Sequence, residues 1–242
     1  MVKGLILSLS IFTRLKVSSI DYDDSGSRWI LFFLPIAGLI LGCLWFLVAY
    51  LFKNNNSLLI ASLLTAFPYG ICGFIHLDGF MDCCDALLSS ANFERRIEIL
   101  KDSQVGAFSV IALVLLILIN FSSIHTLSNT MALIFIPIIA RVFSVEMQFH
   151  SPVLSCSSMS KYFMSHVSTS MKNYFHLYLL GLMVLGYYLL GLSVFILMGY
   201  SILHFLFMRS KLMKQFKGIN GDMCGFMIET MQCGLLVVAC FI

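Results

Sequence analysis

Six long runs of the chain, 29–52, 57–77, 106–127, 130–149, 174–208 and 223–242, are apolar and almost empty of Asp, Glu, Lys and Arg. No water-soluble fold can hide that much continuous apolar surface. Only 11% of residues are charged, under half of the ~25% usual in soluble domains. These runs have the length of bilayer-crossing helices and mark a polytopic membrane protein. The longest, 174–208, would make a helix about 50 Å long at ~1.5 Å per residue, against a hydrocarbon core of about 30 Å. A reversal near Gly191 divides it into spans 174–190 and 192–208. The expected fold is an all-α bundle of about seven transmembrane helices, or six if one segment is re-entrant, forming one membrane-embedded domain over 1–242.

The N-terminal apolar stretch, Gly4 to Phe12, is short, is followed by Arg14 and Lys16, and lacks a small-residue cleavage pattern. It reads as a retained interfacial helix over 4–15 with Leu5, Leu9 and Phe12 toward lipid. Five of the eight cysteines (Cys43, Cys72, Cys224, Cys233 and Cys240) lie inside apolar runs, and no C-x-x-C pair occurs, so neither a zinc site nor a disulfide scaffold follows. The adjacent Cys83 and Cys84 read as small packing residues.

Basic residues set the orientation. With seven spans and a cytoplasmic N-terminus, the inside segments are 1–28, 78–105, 150–173 and 209–222. They hold 13 of the 15 lysines and arginines, leaving only Lys53 outside and Arg141 within a span. Ten of the twelve carboxylates share those segments, and Glu146 and Glu229 lie near the inside ends of spans. Polar chemistry is therefore expected in cytoplasmic loops 78–105 and 209–222, beside an interfacial segment 1–28.

The most informative stretch is GFIHLDGFMDCCDALL, 73–88. Asp78, Asp82 and Asp85 stand at i, i+4 and i+7, within roughly 60° of one another on a helix. Carboxylates so placed repel unless a cation lies between them, and Mg²⁺, which prefers hard oxygen ligands, suits them. The alternative is a solvated acidic face, but Leu77, Phe80, Met81 and Leu87 beside them look buried. His76 either orients a carboxylate, contacts phosphate or simply packs. Pro68, Gly70 and Gly73 just upstream suggest a kinked span.

Two further stretches lead into spans. In ERRIEILKDSQVGAF, 94–108, Arg95 and Arg96 can pair with Glu94 and Glu98 on a solvated helix, whereas Lys101 and Asp102 sit where a helix N-terminus can hold phosphate. In FKGINGDMCGFMIE, 216–229, Gly218 and Gly221 let backbone approach a ligand, and Asp222 either caps the helix or completes a metal site. Glu229 and mid-span Arg141 need partners, because a lone charge in hydrocarbon costs several kcal/mol. For Arg141 the expected partner is a carboxylate or a bound phosphate. Arg14 and Arg28 flank the first cytoplasmic segment as interface anchors or phosphate contacts.

In order along the chain, FTRL at 12–15, FLPIAGLILG at 33–42, GFIHLDGFMDCCDAL at 73–87, EILKDSQVG at 98–106, AR at 140–141 and GINGDMCG at 218–225 resemble the motifs of the cobalamin synthase family, or adenosylcobinamide-GDP ribazoletransferases. Lys16, Ser109, Asn220 and Gln232 depart from the usual proline, glycine, threonine and glutamate; no aspartate is lost. The resemblance implies a prokaryotic plasma-membrane enzyme of vitamin B12 synthesis that joins adenosylcobinamide-GDP to α-ribazole or its 5′-phosphate and releases GMP. It implies Mg²⁺ on Asp78, Asp82 and Asp85, and catalysis by these with His76, Asp102 and Asp222. Phosphate would be held by Lys101, Arg14, Arg28, Arg95, Arg141, Gly218 and Gly221. It also implies attack by the ribazole 5′ oxygen, small-molecule substrates met from the cytoplasmic side, a lipid bilayer around the protein, and no nucleic-acid partner. A CDP-alcohol phosphotransferase would continue from Asp-Gly to Ala-Arg, whereas here Phe80 and Met81 follow Gly79. An ion-coupled transporter would place its carboxylates near the bilayer midplane and show an internal repeat.

Overall fold

The computed structural model describes residues 1–15, 24–55, 57–155 and 157–242, and leaves out the side chains at 24, 25 and 174. Lys16, Asp21, Asp23 and Cys156 fall outside the described residues. Among the described residues every regular element is α-helical, apart from one isolated parallel bridge between Val153 and Ile219.

The helices run α1 (Val2–Phe12), α2 (Asp24–Ser27), α3 (Ile30–Leu51), α4 (Leu58–Cys72), α5 (Ile75–Leu88), α6 (Phe93–Ile99), α7 (Ala107–Thr126), α8 (Ala132–Phe149), α9 (Ser158–Ser165), α10 (Thr169–Leu190), α11 (Ser193–Phe216) and α12 (Gly221–Ala239). Six of them, α3, α7, α8, α10, α11 and α12, are each long and apolar enough to cross a membrane. The bent pair of α4 and α5 makes a seventh if taken as one span. The reversal near Gly191 is present: this glycine has φ +61° and closes α10, and α11 starts two residues later.

α8 is the centre of the bundle. Although it carries Arg141, Ser144, Glu146 and Gln148, it is 94% buried along its apolar stretch, against 22–28% for α7, α10 and α11, whose outer faces carry exposed leucine, isoleucine and phenylalanine. α3 lies closest to it, because Gly38 and Gly42, one turn apart, present no side chain. A Cβ at Gly38 would stand 2.8 Å from the Pro137 carbonyl and from the Arg141 stem, and one at Gly42 would collide with the Ile134 carbonyl.

The expected span 57–77 is broken. Ser57 caps α4, its hydroxyl accepting the Ile60 N–H at 3.3 Å. The helix then stops at Gly73 and Phe74, which both take left-handed conformations (φ +62° and +63°), and the chain turns through 95° into α5. At Gly73 a Cβ would also strike the Arg14 side chain, its nearest atom 2.5 Å away. The aspartate segment is therefore not a solvated loop. His76, Leu77, Gly79, Phe80, Cys83, Cys84 and Ala86 of α5 are buried, chiefly against α12.

The N-terminal helix also differs from expectation. Gly4, Leu7 and Ser8 of α1 are buried against the start of α3, where a Cβ on Gly4 would meet Trp29, and Phe12 turns inward to stack on His76. The spacing predicts Leu5, Leu9 and Phe12 toward lipid; Leu5 and Leu9 stay partly exposed, and of the three it is Phe12 that turns inward.

Antiparallel alternation gathers the polar ends together. Leu154 N–H donates to the Ile219 carbonyl (2.8 Å), Arg96 donates to Gln215 (2.5 Å), and Lys172 reaches the Phe149 carbonyl (3.1 Å), joining the segments around α6, α8, α10, α11 and α12 at one end. Thr126 and Cys240 meet at the other (3.3 Å). Single cysteines at Asn54 and Ser90, in a background without other accessible thiols, should therefore label from opposite faces of the membrane. Labelling of both from one face would contradict the alternation.

Candidate active site

The acidic residues are brought together by a close backbone crossing. Gly79 of α5 lies on Asp222 of α12, where a Cβ would stand 2.7 Å from the Asp222 Cα, and Gly225 of α12 lies on His76, with a Cβ 2.9 Å from its carbonyl. Two glycines on opposite partners allow the helices to touch backbone to backbone. As a result Asp82 lies within electrostatic reach of Asp78, Asp222 and Asp85, and Asp222 within reach of Asp78.

The four carboxylates are held differently. Asp85 accepts N–H groups at the first turn of α7, from Gly106 to Oδ2 (2.8 Å) and from Ser109 to Oδ1 (2.9 Å). Both its oxygens are thus committed to a helix N-terminus, a favourable place for negative charge. Gly106 has to be small there, because a Cβ would run into the Asp85 carboxylate. Ser109, a departure from the family pattern, preserves the contact because the donor is its backbone.

Asp222 is not the cap of α12. Asn220 takes that role, its Oδ1 accepting the Met223 N–H (3.1 Å), while its amide nitrogen donates to Asp222 Oδ2 (2.6 Å). Asn220 therefore both starts the helix and steadies the carboxylate, a role the sequence reading did not assign. The available signal was the preference for Asn one residue before a helix.

Three openings surround this cluster. Asp78 and Arg14 line one of about 590 Å³, together with Thr13, Gly73 and Phe74. Asp222, Gly221 and Lys101 line a second of about 280 Å³, with Asn220, Ser157 and Ser158. A third, of about 270 Å³, has Asp222 and Gly221 at its edge and His76 in its wall. The site therefore unites Asp78, Asp82, Asp222, His76, Lys101, Gly221 and Arg14 from four separated segments. The largest described cavity, about 630 Å³, is an apolar recess of α3, α8 and α10 that includes none of them.

Other candidates lie apart. Arg28 is exposed over the Trp29 ring (5.8 Å), Arg95 pairs with Glu98 at the surface (2.8 Å), and Asp102 is exposed and closes a turn onto the Gln104 N–H (3.0 Å). Gly218 packs under Leu154. Arg141 is 2% exposed and donates to Gln232 Oε1 (3.0 Å), the Pro137 carbonyl (3.0 Å) and Cys72 Sγ (3.3 Å). It lines none of the three openings, and among the described residues its hydrogen-bond partners include no carboxylate. Gln232, where the family often has glutamate, supplies an acceptor without charge.

Among the described residues no three His, Cys, Asp or Glu side chains form a preassembled metal cage. Asp78 and Asp82, one helical turn apart, still offer a pair of hard oxygen donors.

The Asp85 contact makes a stability prediction. Asp85→Ala leaves the Gly106 and Ser109 N–H groups without their acceptor, and should cost about 1–2 kcal/mol by analogy with lost helix caps. Gly106→Ala should destabilise by pushing the same carboxylate away. Thermal unfolding in detergent should show the double variant losing less than the sum of the singles, since both act on one contact. Strict additivity would contradict the geometry.

The family model described as cobalamin-5-phosphate synthase matches residues 4–240. Relatives named adenosylcobinamide-GDP ribazoletransferase include one from Clostridium perfringens, 36% identical over 95% of this chain and 94% of its own, and one from Clostridium botulinum, 35% identical over 98% and 97%. A third, from Stutzerimonas stutzeri, is 28% identical over 96% of both chains. No solved structure matches. With the family model spanning nearly every residue and relatives aligned along almost their full length, the chain belongs to the cobalamin-5-phosphate synthase family.

Proposed function

We propose that the chain is an adenosylcobinamide-GDP ribazoletransferase that acts in the cell membrane of a prokaryote, with its acidic end facing the cytoplasm. The observation that carries this reading is the α5–α12 crossing, which brings Asp222 of the GINGDMCG motif to the aspartates of the GFIHLDGFMDCCDAL motif. The 13-of-15 basic count supports the orientation. The family match favours neither a CDP-alcohol phosphotransferase nor a transporter.

The reaction joins a ribose hydroxyl of α-ribazole to the phosphorus that links cobinamide to GMP. A new P–O bond forms, the pyrophosphate P–O bond breaks, and GMP leaves. The 5′ oxygen is a poor candidate for the nucleophile. A product that keeps a 5-phosphate, as the family description implies, has that oxygen already occupied, so attack is assigned to a secondary ribose hydroxyl.

Each residue then has a distinct task. Asp222, shared by two openings and steadied by Asn220, takes the proton of the attacking hydroxyl. Lys101, in the same opening as Asp222, and Arg14, in the same opening as Asp78, meet phosphoryl oxygens from two sides. Asp85 positions α7 and with it the loop that carries Lys101.

Asp78 and Asp82 fit Mg²⁺, which commonly takes one or two carboxylates and completes its shell with phosphate oxygens and water. Bound there, the ion would neutralise charge on the pyrophosphate and the departing GMP.

Purified protein should release GMP from adenosylcobinamide-GDP when α-ribazole or its 5′-phosphate is present. Chelation should stop release and Mg²⁺ restore it. Asp78→Asn and Asp82→Asn should lower turnover by about 100-fold or more and raise the Mg²⁺ requirement. Asp222→Asn should lower kcat by about 100-fold with little change in KM for the cobinamide substrate, as expected for a lost general base. Near-parental turnover in two of the three variants would overturn the assignment.

A further inference from the structure

We propose that the cavity of about 270 Å³ beside Asp222 seats the aromatic base of the nucleoside substrate, stacked on the Phe12–His76 wall and met in its plane by Gln148. This subsite rests on the transferase reading above and names what the second substrate docks against.

Size and shape come first. The volume lies just under the range of about 300–1,000 Å³ that holds a drug-sized ligand, so it has room for a bicyclic ring and not for a whole nucleotide. Phe12 and His76 lie nearly parallel, with ring centroids 6.0 Å apart and planes at 20°, and Phe163 of α9 adds a third ring to the lining. Flat heterocycles are held by such surfaces. Leu31, Leu34 and Ile228 complete largely apolar walls.

The polar groups of the lining are few, and two lack partners. His76 is 5% exposed and its Nε2 is buried with no hydrogen bond. Gln148, also 5% exposed, makes no side-chain hydrogen bond among the described residues. Ser144, by contrast, is already satisfied by the Cys224 carbonyl at 3.1 Å. A buried polar group is costly to leave unpaired, so the His76 nitrogen, with the Gln148 amide beside it on the lining, points to a ligand with its own in-plane donor or acceptor. A lipid acyl chain would fill the space but satisfy neither. A benzimidazole offers two apolar faces and one in-plane ring nitrogen.

Position supplies the last step. Gly221 and Asp222 border both this cavity and the adjoining one that Lys101 lines, and a Cβ on Gly221 would meet nothing within 4 Å. A base seated here leaves its ribose at Asp222, where the hydroxyl proton is to be taken, with the phosphates on the Lys101 side.

Two measurements test this. In the parent enzyme, free benzimidazole should inhibit GMP release competitively against α-ribazole and not against adenosylcobinamide-GDP. Ser160→Leu, which adds bulk from a buried position in the cavity wall, should raise KM for α-ribazole about tenfold or more and leave KM for adenosylcobinamide-GDP within about twofold. Absence of benzimidazole inhibition, competition against the cobinamide substrate, or a folded Ser160→Leu protein with parental KM for α-ribazole would each overturn the subsite while leaving the transferase reading intact. If Ser160→Leu does not fold, the smaller Ser160→Val is measured in its place and read by the same rise or constancy of KM for α-ribazole. A parent enzyme that releases no GMP with either nucleoside would overturn the transferase reading and the subsite with it.

Discussion

The contact between Gly79 and Asp222, answered by that between Gly225 and His76, is the constraint on which the polar end of this bundle depends. Any side chain at either glycine would force α5 and α12 apart. Separated helices would carry Asp78 and Asp82 away from Asp222, and the cavity bordered by His76 and Asp222 would lose its shape. Like-charged groups resist such gathering, so the packing of buried neighbours such as Leu77, Phe80 and Phe226 has to outweigh the repulsion.

Asp85 shows how one member of an acidic row is removed from that repulsion. Its charge is absorbed by two N–H groups at the start of α7, which also fixes α7 against α5. The KDS loop lies just upstream of that anchor, so the placement of Lys101 follows from a contact made by a residue in another motif. The same economy appears at Asn220, which caps α12 with one side-chain atom and holds Asp222 with another.

Arg141 represents a different solution to buried charge. It lies between α3, α8 and α12, and its donors are met by a glutamine, a carbonyl and a thiol, with Glu229 near enough to interact but not paired by contact. The glycine at 38 leaves room for its stem. These bonds tie the central helix to its neighbours inside hydrocarbon, where unmet donors are most costly.

The sequence by itself determined the membrane class, the helical bundle, the reversal at Gly191 and the spacing of the three aspartates on one face of a helix. These are properties of local composition and period, and a charge-free run of twenty residues has few alternatives. It also determined the family, because the order of its motifs is linear information. Tertiary structure decided what each charged residue faces. The 60° arc of Asp78, Asp82 and Asp85 could not reveal that the third is taken by the N-terminus of α7, twenty-one positions onward. Nor could it reveal that Asp222 from the far end of the chain joins the other two. The break at Gly73 and Phe74 bends the expected span 57–77 by 95° into two helices, and the buried donors of Arg141 meet a glutamine from α12. Such partners are set by helix crossings between residues tens to over a hundred positions apart, and a periodic pattern read along one helix carries no record of which other helix will lie against it.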